Sequence, residues 1–447
     1  MIPRRGVLAG MAMAAGPWAG ARAATGLRVA VIGGGMAGLG AARALVDSGA
    51  EVTVLEARDR IGGRVWTSRV WTDQPVDLGA SWIHGASGNP LTALADAATA
   101  RRAVTSYDRA AAWDAEGRPV NLDRDHEHAG DVIERARARV EDADTDTSLR
   151  AAVEGGRDWQ ALDTAARRRF RYVVNAAVEQ EYAADWDRLS AWHFDDGGAY
   201  GGPDQLFPDG YDALPRYLAQ GLDIRLGTVV QGLAPDGAGV AVTLADGGSL
   251  RADRAVVAVP LGVLQAGDLR FGAGLDQRRT AAIRDLGMGL LNKCWLRFDR
   301  PFWPATLDWL GFLGPTDGLW QEWVSMTRAA GAPVLVGFNA GTVAREIESL
   351  DDAATVASAM AALRAMFGTR VPAPLGAQVT RWSRDPFARG SYSCLPPGTS
   401  TRTRRALSGT DWNGRIGFAG EATSPDHPST VHGAYASGLS IAREITA

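Results

Sequence analysis

Residues 27–56 read LRVAVIGGGMAGLGAARALVDSGAEVTVLE, and the order of residue types in this stretch decides the fold. Leu27 to Ile32 is a short apolar, β-branched run of the kind that forms a buried strand. It enters Gly33-Gly34-Gly35-Met36-Ala37-Gly38, a GxGxxG turn, followed by a helical stretch from Leu39 to Ser48 that Gly49 ends. Glu51 to Glu56 is a second strand that closes on an acid. Each glycine has its own task. Gly33 permits the tight turn, Gly35 lets the backbone approach a pyrophosphate, and Gly38 lets helix and strand pack closely. The helix start then offers free N–H groups and the positive end of its dipole to the phosphates. Glu56 can accept both hydroxyls of an unphosphorylated ribose, which favours FAD or NAD over NADP. A GxGxxG alone is a weak signal, but strand, glycines, helix, strand and acid in this order predict a dinucleotide-binding unit.

Composition narrows the remainder. With 447 residues, 46% of them hydrophobic and 22% charged, the chain has the balance of a globular protein of two or three domains' length. A net charge of −4 argues against a nucleic-acid partner. Lysine and arginine total 47, and a single one of them, Lys293, is lysine. Lysine can lose its proton when buried and arginine cannot, so this ammonium is either a chemical group or a leftover surface charge. It sits in Leu290-Leu291-Asn292-Lys293-Cys294-Trp295-Leu296, a predicted strand, so Lys293 and Cys294 should face opposite ways. Cys294 and Cys394 are the two cysteines, either one long-range bridge or two thiols. His126 and His128 stand at the polar start of a helix, where a solvated pair is expected and no metal is assigned.

Met1 to Ala24 reads as a leader rather than as fold. Arg4-Arg5, a short run of small apolar residues and Ala21-Arg22-Ala23 fit a twin-arginine export signal cut after Ala23. The apolar run is too short to span a bilayer, and no other stretch is apolar enough to do so. The expectation is a periplasmic or secreted protein that uses the twin-arginine export machinery.

Beyond the first unit, Leu55 to Arg64 (LEARDRIGGR) adds a second glycine turn with an arginine fork. This run resembles the flavin-containing amine oxidases, which include monoamine oxidases, polyamine oxidases and lysine-specific histone demethylases. The likeness continues in Val76 to Gly85 (VDLGASWIHG) with Gly88-Asn89-Pro90, where it is closest to the polyamine oxidase branch. It recurs in Ala252 to Leu264, in Gly289 to Pro304, in Arg381-Trp382 with Asp385 to Ser393, and in Gly417 to Gly438. The resemblance implies an α/β (α+β) architecture. A Rossmann-like FAD-binding domain would be assembled from residues 25–85, 210–275 and 400–447. Residues 86–209 and 276–399 would form a substrate domain of mixed sheet and helices. Independently of the resemblance, 287–340 reads as an antiparallel sheet and 130–190 as charged and helical.

Carried onto this chain, the resemblance implies four residues at the reacting centre. Lys293 would hold a water against the reactive flavin nitrogen, His84 would lie beside the flavin, and Tyr392 would wall the substrate amine. Thr430 stands where monoamine oxidases have a second cage tyrosine. Ser391 replaces the cysteine that tethers their flavin, which implies non-covalent FAD. Arg58, Gly63 and Arg64 would serve the pyrophosphate and ribityl chain. Gly79, Ala80, Ser81 and Trp82 would be among the cofactor contacts, with Trp382 against the ring. Glu421 would bond the ribityl or phosphate region, and the backbone of Val431 would meet the pyrimidine edge. The backbone of Val230 would hold the adenine.

The implied reaction is oxidation of a polyamine-type amine to an imine by hydride transfer to flavin. The imine is hydrolysed, and molecular oxygen gives hydrogen peroxide. The alternatives are a monoamine or L-amino-acid oxidase on the same fold, or a flavin-binding protein with little turnover. A histone demethylase is disfavoured, since no long helical insertion interrupts the sequence. Asp195, Asp196 and Asp204 are left as solvated loop acids or as partners of a distal ammonium.

Overall fold

Strand β1 (Arg28–Ile32) pairs in parallel on one side with β2 (Glu51–Leu55) and on the other with Arg254–Val257. A parallel strand with neighbours on both sides is covered on both faces, and residues 29–32 are all buried. The computed structural model describes residues 26–446, so the twin-arginine leader and its cleavage site lie outside the described residues. Helix α1 (Met36–Asp47) begins one turn earlier than the sequence reading placed it, with Gly35 at its N-cap. The N–H of Leu39 already donates to the carbonyl of Gly35 at 2.8 Å, so the GxGxxG turn is itself the first turn of the helix.

The first sheet has six strands in the order Asp223–Arg225, β2, β1, Arg254–Val257, Ile416–Phe418 and Gly409–Asp411. All neighbours are parallel except the last pair, a hairpin. Its strands come from three separated stretches of chain. One face is covered by α1 and by the C-terminal helix α2 (Val431–Thr446). The two helices approach closely at Gly438, where a Cβ would lie 2.1 Å from the carbonyl oxygen of Ala37. The other face packs on a four-stranded sheet spanning 230–271 through Val240, Val242, Ile32 and Phe418.

The edge hairpin is held from outside by Arg279, 4% exposed. Its guanidinium donates to the carbonyls of Leu407, Ser408 and Thr410 and to the Asp411 carboxylate, and it lies 4.1 Å over the ring of Phe418. Arg279→Ala would strand four acceptors in a desolvated corner. A loss of about 3–5 kcal/mol in unfolding free energy is expected, measured by urea denaturation.

The second large sheet has seven strands. Its order is Gly376–Val379, β3 (Leu291–Arg297), β6 (Val334–Ala340), β5 (Glu322–Ser325), β4 (Trp309–Leu313), Ala110–Asp114 and Pro119–Val120. It is antiparallel except where β4 meets Ala110–Asp114. One face carries a core of Trp320, Trp323, Leu335 and Met360, closed by the helix Asp352–Phe367. The helical stretch after Leu122 ends in a π-turn, Asn175–Glu179, and then Gln180–Tyr182. A π-turn changes the direction in which following side chains leave the helix. Here the residues it redirects line a cavity of about 3120 Å³ that runs from the first sheet to the second.

Candidate active site

The cavity begins at the GxGxxG turn, where the glycines sort by what surrounds them. A Cβ on Gly38 would fall 1.9 Å from the Gly33 oxygen, and one on Gly33 would fall 2.8 Å from the Ala258 oxygen. Gly35 differs. Its Cβ would meet nothing nearer than the Gly62 oxygen at 4.0 Å, so the cradle lies open there. Gly63 closes the facing wall with φ +57°, a conformation that favours glycine. Glu56 is buried, and its carboxylate accepts the N–H groups of Gly34 (2.6 Å) and Arg58 (2.9 Å). These bonds fix the acid at the tip of β2 while leaving lone pairs for hydroxyl donors.

The two arginines expected at the phosphates line the cavity but already hold protein acceptors. Arg58 grips Asp385 through two bonds of 2.7 and 2.8 Å. Arg64 donates to the carbonyl of Ser391 (2.8 Å) and to the Glu421 carboxylate (2.9 Å). Glu421 also accepts from the hydroxyl of Ser393 (2.6 Å) and the N–H of Ser429 (3.1 Å). Burial alone would raise its carboxyl, but Arg64, Arg404 and Ser393 outweigh that and hold it below its ordinary value. Arg404, 2% exposed, escaped the sequence reading, and its Nε–H has no acceptor among the described residues. Val230 opens a strand of the four-stranded sheet on the same cavity, and Val431 opens α2 behind Ser429, at φ +62°. An acid at the tip of β2, an open glycine cradle and a helix start fit a dinucleotide in extended form.

Lys293, on β3, is 5% exposed and faces the cavity, while Cys294 turns into the opposite core. Its ammonium donates to the carbonyls of Asp77 (3.0 Å) and Gly79 (2.5 Å) and to the Ser81 hydroxyl (2.6 Å). Three donors thus meet three acceptors on one turn, with the rings of Trp82 and Phe338 about 6 Å away. Burial pushes the ammonium down to about 8, opposed by Asp77. The Asp77 carboxyl, pushed up to about 7 by burial, accepts the Thr67 hydroxyl (2.5 Å) and the Tyr211 N–H (3.0 Å).

Ala80 and Trp82 continue this turn into the cavity, and the Trp82 indole donates to Thr105. Trp82 belongs to an aromatic row, stacked on Trp309 at 5.9 Å, which in turn stacks on Tyr107 at 4.2 Å. Trp382 is buried edge-on to Trp66 and donates to the carbonyl of Leu78. The Tyr392 hydroxyl donates to the carbonyl of Gln180 (2.6 Å), which ties the strand run before the last segment to the π-turn. Thr430 donates to the His427 carbonyl and accepts the Gly433 N–H, so it caps α2. His84 pairs with Asp204 at 3.1 Å and stacks on Trp82.

The three loop acids stay partly exposed, and each has a protein partner. Asp195 holds Arg137 by two 2.7 Å bonds, Asp196 accepts the Thr401 hydroxyl, and Asp204 accepts the Gly85 N–H and meets His84. Glu322 on β5 and Glu181 after the π-turn are two cavity acids that the sequence reading missed. Burial, and then Glu181, push the Glu322 carboxyl up to about 8. A raised carboxyl adds stability below its ordinary value of 4.5 and loses it as pH rises through about 8. The thermal midpoint of Glu322→Gln is therefore expected to exceed that of the unmodified chain increasingly from pH 5 to 9.

Both cysteines are free and buried in separate cores, so they form no bridge here, and burial pushes each thiol up to about 12. No group of three or more metal-ligating side chains occurs among the described residues. His126 and His128 lie in the helix Asp123–Val140.

Residues 36–446 match the flavin-containing amine oxidoreductases as a family, and the chain belongs to it. Among curated relatives, it is 36% identical over 435 residues to polyamine oxidase 4 of Oryza sativa subsp. japonica, covering 93% of this chain and 88% of that one. It is 36% identical to polyamine oxidase 2 of Arabidopsis thaliana, with 93% and 87% covered. A rice lysine-specific histone demethylase 1 homolog 3 is 35% identical, but only 54% of its length is matched. A solved structure of a putrescine oxidase redesigned in cofactor binding superposes with a TM-score of 0.75 at 20% identity, over 94% of this chain and 99% of that one. The fold is therefore that of a flavin amine oxidase, and the chain is an oxidoreductase with a flavin cofactor and an amine substrate.

Proposed function

We propose that the chain is an exported oxidase of polyamine-type amines that holds FAD without a covalent bond. The observation that carries this reading is the position of Lys293, the single lysine, at the seam where the glycine cradle opens into an aromatic and acidic chamber. The chemistry that bound FAD would supply is a hydride acceptor for the carbon next to the amine nitrogen, with molecular oxygen taking up the two electrons and two protons as hydrogen peroxide. The chain's own residues bind, orient and desolvate. Glu56 and the start of α1 hold the nucleotide end, and Glu421, kept ionised by its two arginines, faces the middle of the crevice. Lys293 fixes the turn 77–82 and places a positive charge where negative charge grows on reduction. Trp82, Trp382 and Tyr392 exclude water from a neutral amine.

Non-covalent binding rests on Ser391, whose hydroxyl donates to the carbonyl of Leu291 (2.8 Å) and accepts its N–H (2.9 Å). That hydroxyl serves strand pairing and offers no nucleophile. Export rests on the twin-arginine leader. An amino-acid oxidase would need a guanidinium for the substrate carboxylate, whereas Arg64, Arg137 and Arg404 already face Glu421, Asp195 and Ser393.

Anaerobic bleaching of the flavin band with spermine, spermidine, putrescine, a phenylalkyl monoamine and an L-amino acid tests the substrate class. Fast bleaching by the polyamines is expected, and bleaching by the amino acid alone would overturn the reading. Heat-precipitated protein should release its yellow chromophore into solution.

A further inference from the structure

The consecutive carbonyls of Asp77, Leu78 and Gly79 are held by two side chains that line the cavity. Lys293 takes the first and the third, and the indole N–H of Trp382 donates to the second at 3.3 Å. Lys293 is fixed inside β3, whereas Trp382 lies beyond the edge strand Gly376–Val379 and outside any ladder. Its place must therefore be set by bonds other than strand pairing.

Those bonds lie on the reverse face of the sheet. Asn292 precedes Lys293 on β3, so by strand alternation its side chain leaves the opposite face. Its amide oxygen accepts the Trp382 N–H (3.1 Å) and the Thr380 hydroxyl (3.0 Å). Its amide nitrogen donates to Glu348 at 2.7 Å. Glu348 ends the helix Gly341–Glu348 and is buried. The same carboxyl accepts the Ser383 N–H at 3.0 Å and the Ser383 hydroxyl. Trp382 is thus bracketed, its own N–H on Asn292 and that of the next residue on Glu348. No cation pairs with Glu348 among the described residues. A buried carboxyl at the negative end of a helix dipole, with no cation beside it, is unfavourable for folding alone. Two acceptor oxygens side by side are, however, what three converging donors need.

We propose that Glu348 is a positioning residue for the flavin site: through Asn292 and Ser383 it sets the orientation of Trp382, and with it the turn that Trp382 and Lys293 grip together. The proposal rests on the flavin amine oxidase class and on no particular amine. Glu348 itself is not among the residues that line the cavity, so it acts on the indole only through the backbone of 382–383. Without its carboxyl, Ser383 and the amide of Asn292 lose their shared acceptor, and the indole is left to the single bond on Leu78. In Glu348→Gln the amide oxygen keeps Asn292 and the Ser383 N–H, and the Ser383 hydroxyl turns to accept from the new amide nitrogen.

The test uses the FAD-loaded protein with Glu348→Ala and Glu348→Gln, each also made in a Trp382→Phe background. Two signals are read: the visible circular dichroism of the bound flavin, and anaerobic bleaching by whichever amine of the panel bleaches the unmodified protein fastest. Glu348→Ala should alter the dichroism and slow bleaching at saturating amine by about 10–100-fold, with the half-saturating concentration within about 3-fold. Glu348→Gln should keep the dichroism and stay within about 3-fold in rate. Trp382→Phe lacks the N–H for Leu78, so adding Glu348→Ala to it should slow bleaching by less than about 3-fold more. An undiminished loss in that background overturns the proposal, as does Glu348→Ala with dichroism and rate unchanged. If Glu348→Ala does not load FAD, Ser383→Ala takes its place, since it deletes one donor and keeps the backbone N–H. An altered dichroism that Ser383→Ala no longer produces in Trp382→Phe is then expected, and an unaltered one overturns the proposal. If no amine bleaches the unmodified protein, the oxidase reading fails, and the dichroism alone decides the role of Glu348.

Discussion

Lys293→Met should lower the rate of anaerobic flavin reduction by an amine by about 10²–10³-fold. Methionine keeps the length and apolar stem of lysine but removes the charge and its three donors. The carbonyls of Asp77 and Gly79 and the hydroxyl of Ser81 then lose their shared partner in a buried place, at a cost of about 1–3 kcal/mol for each one left unsatisfied. The turn 77–82 carries Trp82 into the chamber, so its relaxation moves an aromatic wall as well as a charge. Lys293→Arg is not expected to rescue the rate, because a planar guanidinium cannot place three donors on acceptors that surround one point. The pH profile separates a chemical role from a packing role. Lys293 is pushed down to about 8 and Asp77 up to about 7, so the pair titrates as a unit across pH 7–8. A limb of the rate profile in that window should vanish in Lys293→Met. Full turnover with the limb intact would remove Lys293 from the mechanism.

How much of this site could be read beforehand depended on how local its physics is. The cradle was legible because Gly33, Gly35 and Gly38 act within one turn, where the absence of a Cβ is itself the signal. Lys293 was legible by composition, since one lysine among so many arginines marks itself before any fold is known. Its orientation followed from strand alternation, and Cys294 does face the other way. The start of α1 was misplaced because a GxGxxG turn reads as loop, whereas its last three residues are already helical. Glu322 was visible as an acid inside LWQEWVS, but its face depends on where β5 begins. That is set by Trp320 at φ +50°, a conformation rare for an aromatic residue. Glu181 owes its place to a π-turn, and Arg404 to a helix docking behind Ser393. Neither has a period or motif in the sequence.

Two alanine substitutions three residues apart in the cradle should fail in different ways. In Gly38→Ala the new methyl would lie 1.9 Å from the Gly33 oxygen and 3.2 Å from a methyl of Val31, and the first of these neighbours is backbone. Helix α1 cannot retreat without leaving β1, and a close-packed core does not absorb such a shift. A loss of about 4 kcal/mol or more is expected, seen as insoluble protein or a collapsed thermal midpoint whether or not FAD is added. Gly35→Ala meets nothing closer than 4.0 Å, and its φ of −81° is allowed to any residue. The apo-protein should therefore unfold within about 0.5 kcal/mol of the unmodified chain. Its methyl occupies the opening through which a pyrophosphate reaches the N–H groups of α1, so FAD affinity should fall by about 100-fold, read by fluorescence titration of the apo-protein. If Gly35→Ala keeps full affinity, the crevice at this turn does not take the pyrophosphate. If Gly38→Ala folds and binds normally, the contact between α1 and β1 is looser than its geometry requires. The pair separates the two demands on the cradle, close packing behind it and open space before it, which the sequence states only as three glycines.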